Sequence, residues 1–274
     1  MRILTWNING LRAKLKDSNG AFMKFMNSEV NQQKYEILCF QEQKCNLDVL
    51  LCEDANGNKT LKGFEKFPYI IHTKEAAKKG YAGACILSKF PFESVQVGLG
   101  NVTHDLNGRV LTAKLKDHNL VIVNVYVPNS GEGLKNLSYR INEWNADFMR
   151  HIEEVETRYP DSTIILCGDF NAALEDSDVY DAKKFKNKVA GFHDEERRWL
   201  SSLVKDHEYV DTFKSSIDLT LSNHYTFWSN LGGMRKKNKG WRIDYFFIKN
   251  GVHQSCKTLQ YVEGSDHCPL ELLI

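Results

Sequence analysis

The stretch TIILCGDFN, residues 163–171, joins an apolar run to a polar end. Its first five residues are rich in β-forming side chains and predict a buried strand that the following glycine brings to an end. The carboxylate of Asp169 and the carboxamide of Asn171 come directly after it. Taken alone, this pair is also typical of a turn, because Asp and Asn side chains hydrogen-bond their own backbone. Whether it marks a turn or a functional site depends on whether other strands end in the same way.

Short apolar runs of this kind recur along the chain. Each spans about four to eight residues, is rich in β-formers and is bounded by polar residues or glycine, so each predicts a strand. The further runs are 3–6, 37–40, 83–87, 110–115, 120–127, 225–228, 242–248 and 269–274. The runs between 83 and 127 favour hairpins.

Apolar residues spaced three or four apart predict two clear helices. The first begins at Leu134 and stops before Pro160, and the second begins at Asp194. A third helix is expected over 20–33. Many strands and few helices favour a layered α/β or α+β sandwich, in which two sheets pack together with helices outside.

Composition bounds the class of protein. The chain has 274 residues, of which 42% are hydrophobic and 26% charged, as in ordinary globular proteins. No apolar run approaches the roughly 18 residues of a membrane span, no signal peptide is visible, and no partner membrane is expected. The chain has no linker rich in Pro, Gly or Ser, so we expect one domain over 1–274. Net charge is +1, which neither demands nor excludes nucleic acid, although 183–188 and 234–239 are basic.

The seven cysteines are odd in number and form no CxxC pair. Several lie inside predicted strands, which indicates reduced, buried thiols rather than a disulfide framework or a zinc cluster. We therefore expect an intracellular protein, with nucleus and cytoplasm both open.

Polar side chains stand at the ends of many predicted strands. These residues are Asn7, Asn9, Glu42, Tyr126, Asn129, Asp169, Asn171, Asp244, Asp266 and His267. Sites on layered folds are often built from strand ends on one rim, so the set predicts a single polar basin. Oxygen ligands without cysteine suit a hard cation such as Mg²⁺ or Mn²⁺. Histidine with a carboxylate suits phosphate contact or acid–base work.

Six blocks of the sequence, in order, resemble the signature blocks of the exonuclease III family of apurinic/apyrimidinic (AP) endonucleases, within the endonuclease/exonuclease/phosphatase superfamily. The blocks are WNINGLR (6–12), FQEQK (40–44), NVYVPNSGEG (124–133), CGDFNAA (167–173), GWRIDYF (240–246) and GSDHCP (264–269). The resemblance implies a four-layer α/β sandwich, with two mixed sheets between helices. It also implies Mg²⁺-dependent hydrolysis of the DNA phosphodiester 5′ to an abasic site, with 3′-phosphodiesterase and 3′–5′ exonuclease activity.

The same resemblance implies roles for the polar residues. Glu42 is the expected Mg²⁺ ligand, with Asn9 and Asp266 beside it, and Mn²⁺ is expected to substitute. Asp169, helped by Asn171, is expected to position and deprotonate the attacking water. His267 is expected to contact the phosphate, with its ring held by Asp244, 23 residues upstream, rather than by its neighbour. The remaining residues of the phosphate cradle are Asn7 and Tyr126.

The expected partner is double-stranded DNA that contains abasic sites or 3′-blocked ends, bound by a monomer. Arg12, Asn129 and Tyr81 are expected to contact the DNA. Phe227, Trp241 and Ile243 are expected to line an apolar pocket for a flipped sugar, although plain core packing also explains such side chains. Within the loop 229–239, the resemblance implies a wedge at Leu231 and a phosphate or groove contact at Arg235.

Three positions depart from the family pattern. Asn9 stands where some relatives carry Asp, which leaves one charge fewer around the metal. Glu132 stands where animal-type enzymes place an arginine, and a carboxylate there repels phosphate. Val189 stands where those enzymes have Asn, and Asn187 is a possible substitute for it.

Rival interpretations remain open on sequence alone. One is another phosphodiesterase of the superfamily, such as a DNase I-like nuclease, a phosphoinositide phosphatase or a sphingomyelinase. A second is a non-catalytic DNA-binding relative, although such a protein has no chemical need for every catalytic residue above. A third, prompted by the Gly-Asp pair at 168–169, is a calcineurin-like dimetal phosphatase, which needs further histidine ligands.

Overall fold

The structure is a computed structural model that describes residues 1–30, 34–53, 59–74, 76–216 and 224–274, with side chains except at 29 and 30. The strands in chain order are β1 (Arg2–Asn7), β2 (Ile37–Gln41), β3 (Leu51–Glu53), β4 (Lys59–Leu61), β5 (Tyr69–His72), β6 (Ala84–Ser88), β7 (Phe92–Val97), β8 (Val110–Leu115), β9 (Leu120–Tyr126), β10 (Thr163–Asp169), β11 (Val210–Asp211), β12 (Asp244–Lys249), β13 (Ser255–Thr258) and β14 (Leu270–Leu273). The α-helices are α1 (Leu11–Lys16), α2 (Ala21–Phe25), α3 (Val102–Asp105), α4 (Leu137–Tyr139), α5 (Asn145–Arg158), α6 (Ala182–Phe185), α7 (Asp194–Lys205) and α8 (Thr212–Ser216). Shorter 3₁₀ turns occupy Leu47–Leu50, Glu132–Leu134, Asp176–Asp178 and Leu231–Gly233, and π turns occupy Met26–Val30 and Arg140–Trp144.

Two six-stranded sheets are formed by the described residues. One has the order β13-β14-β1-β2-β6-β5, and the other has the order β11-β12-β10-β9-β8-β7. Both are mixed, because β1 pairs in parallel with β2, and β10 in parallel with β9, while their other neighbours are antiparallel. The short strands β3 and β4 form a separate hairpin.

The four layers follow from the alternation of side chains along each strand. In β1, Ile3 faces the other sheet, where Ile122 and Ile165 also lie. Leu4 and Trp6 face outward and pack with α1 and α2. The second sheet packs its outer face on α5 and α7 in the same way. The predicted sandwich of two packed sheets between helices is thus confirmed.

Two of the predicted elements differ in the structure. The run 225–228 is not a strand, because Thr226 and Phe227 both donate their backbone N–H to the Trp241 carbonyl, while Trp228 donates to Asp266. No regular ladder can form from donors that converge in this way. The run 83–87 does not form a hairpin with the next strand either, since β6 and β7 belong to different sheets.

The predicted helices are present with different internal geometry. The helix expected from Leu134 begins as α4 and continues through a π turn, Arg140–Trp144, into α5. The second is α7, beginning at Asp194 as expected. The helix expected over 20–33 is α2 followed by a π turn to Val30, and 31–33 lie outside the described residues. Within the described ranges, no helix is both long enough and apolar enough to cross a bilayer.

Candidate active site

The polar residues at the strand ends meet because side chains alternate between the two faces of each strand, and this alternation turns the polar residues to the same face. In β10, Ile165 and Cys167 face the space between the sheets, so Asp169 faces it too. Asp169 lies beside Tyr126 on one neighbouring strand and Asp244 on the other. The preceding Gly168 has φ of +130°, and a Cβ there would lie 2.0 Å from the Val125 carbonyl oxygen. Only glycine lets the strands approach this closely at the site.

Asn7 joins the ends of the two sheets. Its side-chain amide donates to Glu42 Oε1 at 2.9 Å and to Asp169 Oδ2 at 2.9 Å. Asn7 is fully buried, so its amide has a fixed orientation. Asn7 therefore places a residue expected at the metal and the expected catalytic base on either side of one amide group.

His267 lies between two buried carboxylates. Its Nδ1 is 2.8 Å from Asp244 Oδ2, and its Nε2 is 3.8 Å from Asp169 Oδ2. Burial alone would lower the pKa of His267, but the negative charges of Asp244 and Asp169 outweigh it and raise the pKa to about 10. The imidazole is therefore a cation at neutral pH, beside Asp169 and facing the cleft.

Asp169 has the opposite chemistry. Burial raises its pKa to about 7, against the lowering effect of the His267 charge and a hydrogen bond from Asn7. A carboxylate with a pKa near the working pH is suited to accept a proton from water. Asn171 completes the group, since its backbone N–H donates to Asp169 Oδ1 at 2.8 Å and its side chain donates to the Val127 carbonyl.

Glu42, Asn9 and Asp266 form an oxygen-rich group next to these residues. Asn9 donates to Asp266 Oδ1 at 3.0 Å. The ammonium of Lys44 lies 2.6 Å from Glu42 Oε2 and 2.5 Å from Asn9 Oδ1. Burial alone would raise the pKa of Glu42, but hydrogen bonds from Asn7 and Lys44 outweigh it and lower the pKa. Oxygen donors that already hold a positive charge fit a hard cation such as Mg²⁺ or Mn²⁺.

A second arrangement of ligands is also compatible with a cation. The ligand atoms of Asp169, Asp244 and His267 lie within 4.8 Å of one another. However, Asp244 Oδ2 already binds His267 Nδ1, and a protonated imidazole has no lone pair for a metal. We therefore favour the group around Glu42.

An apolar pocket opens beside the polar group. It has a volume of about 550 Å³ and contains Phe227, Trp241 and Ile243 in its wall. Tyr180, Phe185 and Met234 extend the same wall, while Asp169 and His267 line its polar end. The Phe227 ring lies on the His267 ring, with centroids 4.9 Å apart. These three predicted side chains therefore border a cavity as well as packing in a cluster.

The residues expected to contact DNA differ in exposure, and of these only Asn129 lines the pocket. Leu231 is 79% exposed and Tyr81 is 37% exposed, and Arg12 is exposed on α1. Asn129 is exposed as well, and its side chain donates to Asn171 Oδ1 at 2.9 Å. These positions leave all four side chains accessible to a large ligand.

Arg235 differs from this group because its guanidinium is already engaged. It donates to the carbonyls of Ser265, Gln260 and Val262, and it lies over the Trp228 ring. Its contacts hold the loop 229–239 against the segment that leads to Asp266. The structure thus gives Arg235 a bracing role, and the expected DNA contact remains a prediction.

The structure shows where two of the residues that depart from the family pattern, Val189 and Glu132, are located. Val189 lines the pocket, whereas Asn187 hydrogen-bonds Asp194 at the start of α7 and is absent from the pocket wall. Asn187 therefore does not substitute for a pocket asparagine. Glu132 is exposed in its 3₁₀ turn.

Tyr180, Phe185 and Met234 of the pocket wall were not predicted from the sequence, and neither were two charged residues beside the polar group, Lys44 and Arg109. Lys44 has been described above. Arg109 is 4% exposed, donates to the Tyr126 carbonyl and the Tyr81 hydroxyl, and stacks on both rings. Neither residue carries a local signal beyond its charge, although Lys44 belongs to the quoted block FQEQK.

Known proteins resemble this chain over nearly its whole length. The endonuclease/exonuclease/phosphatase family matches residues 4–267. A DNA-(apurinic or apyrimidinic site) endonuclease of Dictyostelium discoideum is 36% identical over 279 residues, covering 100% of this chain and 70% of that protein. An exodeoxyribonuclease of Bacillus subtilis is 34% identical over 277 residues, covering 100% of this chain and 99% of that protein. The crystal structure of an AP endonuclease from Leishmania major has a TM-score of 0.80 and 30% identity, covering 99% of this chain and 86% of that one.

Proposed function

Because the chain belongs to the endonuclease/exonuclease/phosphatase family, we propose that it is a DNA-repair nuclease that hydrolyses the phosphodiester 5′ to an abasic site. The observation that carries this proposal is the position of a charged catalytic group beside an apolar pocket. Asp169 and His267 line the polar end of the same cavity that Trp241 and Ile243 line on the apolar side. A phosphate at the polar end would place the adjoining sugar in the apolar part.

The pocket supports selection of a sugar that has lost its base. Moving a nucleotide out of the stack costs least where pairing is already lost. The aromatic and aliphatic walls would pack against the deoxyribose ring. In these walls, the side chains of Phe227 and Ile243 carry no hydrogen-bonding groups that the missing base would leave unpaired. Leu231, exposed in the loop 229–239, would occupy the space left in the duplex.

In the proposed reaction, His267 binds a non-bridging oxygen of the phosphate through Nε2–H. Its other nitrogen is held by Asp244, which keeps the ring cationic and correctly turned. The hydroxyl of Tyr126 would complete the cradle. Donors fixed in this way stabilise the charge that develops in the transition state. The structure does not support the phosphate contact expected of Asn7, because both N–H groups of its amide already donate to Glu42 and Asp169 and would instead hold those two carboxylates in place.

Asp169 is the proposed base for the attacking water. It lies 2.9 Å from the Asn7 amide and 2.8 Å from the Asn171 backbone N–H, so its carboxylate cannot rotate freely. The water would lose its proton to Asp169 while its oxygen attacks phosphorus, and the 3′-oxygen would leave on the opposite side. The proposed products are a 3′-hydroxyl and a 5′-deoxyribose phosphate.

Glu42, with Asn9 and Asp266 beside it, is the proposed holder of Mg²⁺, and Mn²⁺ is expected to replace it. When bound, the cation would supply neutralising charge at the phosphate and the leaving oxygen. Lys44 must move from Glu42 and Asn9 to make room for it.

We also propose that the protein acts as a monomer on double-stranded DNA inside the cell. All seven cysteines lie in the described part of the chain, and no disulfide joins any of them. Removal of 3′-blocking groups and of 3′ nucleotides is proposed as a companion activity. The Bacillus subtilis relative, which matches this chain over 99% of its own length, is named an exodeoxyribonuclease.

One incision assay tests the proposed function. A duplex with a single tetrahydrofuran abasic analogue is incubated with the protein and Mg²⁺, then with EDTA, beside an undamaged duplex and a phospholipid substrate. We expect a metal-dependent nick 5′ to the analogue that leaves a 3′-hydroxyl. Cleavage of the phospholipid, or equal cleavage of both duplexes, would favour the other phosphodiesterases of the superfamily. Folded protein that leaves every substrate intact would favour a non-catalytic relative.

A further inference from the structure

Arg140 and Glu196 form a fully buried ion pair behind the candidate active site. Arg140 Nη1 lies 2.9 Å from Glu196 Oε1, and both side chains are 0% exposed. Burying two charges costs free energy, and this cost is offset only when the ion pair has good geometry and both groups make additional hydrogen bonds. The partners that supply these hydrogen bonds belong to three loops, and each loop carries residues of the site.

The first loop is the one that follows Asp169. Arg140 donates from Nη2 to the Phe170 carbonyl and from Nη1 to the Asn171 carbonyl, each at 2.7 Å. Asn171 has φ of 48°, a left-handed conformation that a non-glycine residue keeps only when its surroundings support it. Arg140 therefore holds the strained backbone whose side chain and N–H contact Asp169 and Asn129.

The second and third loops are held by Glu196. Its Oε2 accepts from the backbone N–H of Gly191 at 2.8 Å and of His193 at 3.0 Å. Gly191 lines the pocket directly after Val189 and Ala190. Oε1 of Glu196 accepts from the hydroxyl of Ser130, the residue immediately after Asn129. One carboxylate therefore fixes the pocket wall and the segment of Asn129 together.

The local helix geometry explains how Arg140 reaches this position. Arg140 opens the π turn Arg140–Trp144, which adds a residue to the helical turn between α4 and α5. The added residue lets Arg140 point at 170–171 while Trp144 and Phe148 still pack in the core below the sheet. Such π turns within α-helices are frequent at functional sites.

We propose that Arg140 and Glu196 are positioning residues for incision, which set the spacing between the catalytic strand end and the pocket wall that selects the abasic sugar. The proposal rests on the proposed function and extends it to two side chains that do not line the pocket. Through the backbone of Asn171 and Gly191, the ion pair couples the rate of the reaction to its selectivity. Loss of the pair should therefore affect both together.

The test uses Glu196→Gln in the full chain. Glutamine keeps the shape of the side chain but replaces one acceptor oxygen with an NH₂ group, which must face Arg140 or the N–H groups of Gly191 and His193. With Mg²⁺ saturating, kcat and KM are measured on the tetrahydrofuran duplex and on an undamaged duplex. We expect kcat on the abasic duplex to fall about tenfold to 100-fold, as small misplacements of catalytic groups do. We expect the abasic-to-undamaged ratio of kcat/KM to fall too, while KM changes less than about threefold.

Glu271→Gln is the matched control. Glu271 is another buried carboxylate, 3% exposed and paired with Arg2 at 2.8 Å, on β14 of the first sheet. It should lower Tm without changing kcat or the abasic-to-undamaged ratio. A purely structural role for Glu196 would give this same pattern and would overturn the proposal.

The two proposals fail in different ways. If the wild-type protein does not incise the abasic duplex, the proposed function is wrong, and the positioning proposal is wrong with it. If the wild type incises and Glu196→Gln matches it in kcat and selectivity, only the positioning proposal is wrong. Where Glu196→Gln does not fold, Ser130→Ala replaces it, since it removes one donor to Glu196 and leaves both charges. A smaller fall in the same two quantities supports the proposal, and wild-type values contradict it.

Discussion

The imidazole of His267 lies 2.8 Å from the carboxylate of Asp244, although 23 residues separate them and Asp266 is its immediate neighbour. The two adjacent ionisable residues have separate partners, since Asp266 binds Asn9. Successive side chains of an extended segment point to opposite sides, which explains the division. The cleft thus has a cationic imidazolium on one side and an oxygen-rich group for a cation on the other.

Asp244→Asn tests whether the carboxylate maintains the charge of His267. The variant removes the negative charge that does most to raise the pKa of His267, so that burial, which lowers the pKa, should dominate. We expect the pKa of His267, followed by NMR titration of its ring protons, to fall from about 10 towards or below its usual value. Loss of one preorganised charged donor should lower kcat about 10²–10³-fold. An unchanged titration with a normal rate would show that Asp244 is not the partner that matters.

Asp169→Asn tests the proposed base. Asparagine keeps the shape of the side chain but has one acceptor oxygen instead of two, so it can accept from either the Asn7 amide or the Asn171 N–H, not from both. It cannot accept a proton from water, so kcat should fall at least about 10²-fold, the order of a general-base contribution. The wild-type rate should rise with pH, since the base form of Asp169 accumulates above its pKa of about 7. We expect a rise of about tenfold per pH unit below pH 7 and a plateau above it. His267→Ala should lose most activity as well.

Both variants should fold and bind the abasic duplex, which circular dichroism and a DNA-binding assay check. An Asp169→Asn protein that retains the wild-type rate and the wild-type pH profile would assign the base to another group.

The face on which each polar strand-end residue lies could be predicted from the sequence, because it depends only on neighbouring residues of the same strand. Alternation along β10 alone places Asp169 on the face of Ile165 and Cys167. The same rule holds for Asn7 in β1, Tyr126 in β9 and Asp244 in β12. Edge strands were harder, because β7 is largely exposed and shows no apolar run.

The supports of the site could not be predicted in this way. Arg140 and Glu196 are 56 residues apart, and their contacts depend on how α5 and α7 pack over the second sheet. Lys44 and Arg109 resemble ordinary surface charges in sequence. Only the packed structure shows that Arg109 is buried between two tyrosine rings.

Leu231→Ala tests the proposed wedge. Leu231 is 79% exposed, so truncation should leave Tm unchanged and should act only on bound DNA. We expect weaker binding of the abasic duplex, by about three- to tenfold in Kd, since roughly one to two buried methylene groups' worth of contact is lost. Val252→Ala is the matched control, because Val252 is 87% exposed and lies two residues after Asn250, whose carbonyl accepts from the Thr163 hydroxyl at the opposite end of β10. Equal Kd values for both variants would remove Leu231 from the DNA interface.

Lys44→Ala tests the group proposed to hold the metal, with a readout independent of activity. The Lys44 ammonium occupies the space between Glu42 Oε2 and Asn9 Oδ1, so a divalent cation must displace it and work against its charge. Without that ammonium, Mn²⁺ should bind more tightly, by about tenfold in Kd, as calorimetry or the loss of free-ion EPR signal would measure. Lys16→Ala, which removes an exposed charge from α1, should change the affinity by much less. Unchanged or weaker Mn²⁺ binding by Lys44→Ala would place the cation elsewhere in the cleft, and the cluster of Asp169, Asp244 and His267 would then become the first alternative.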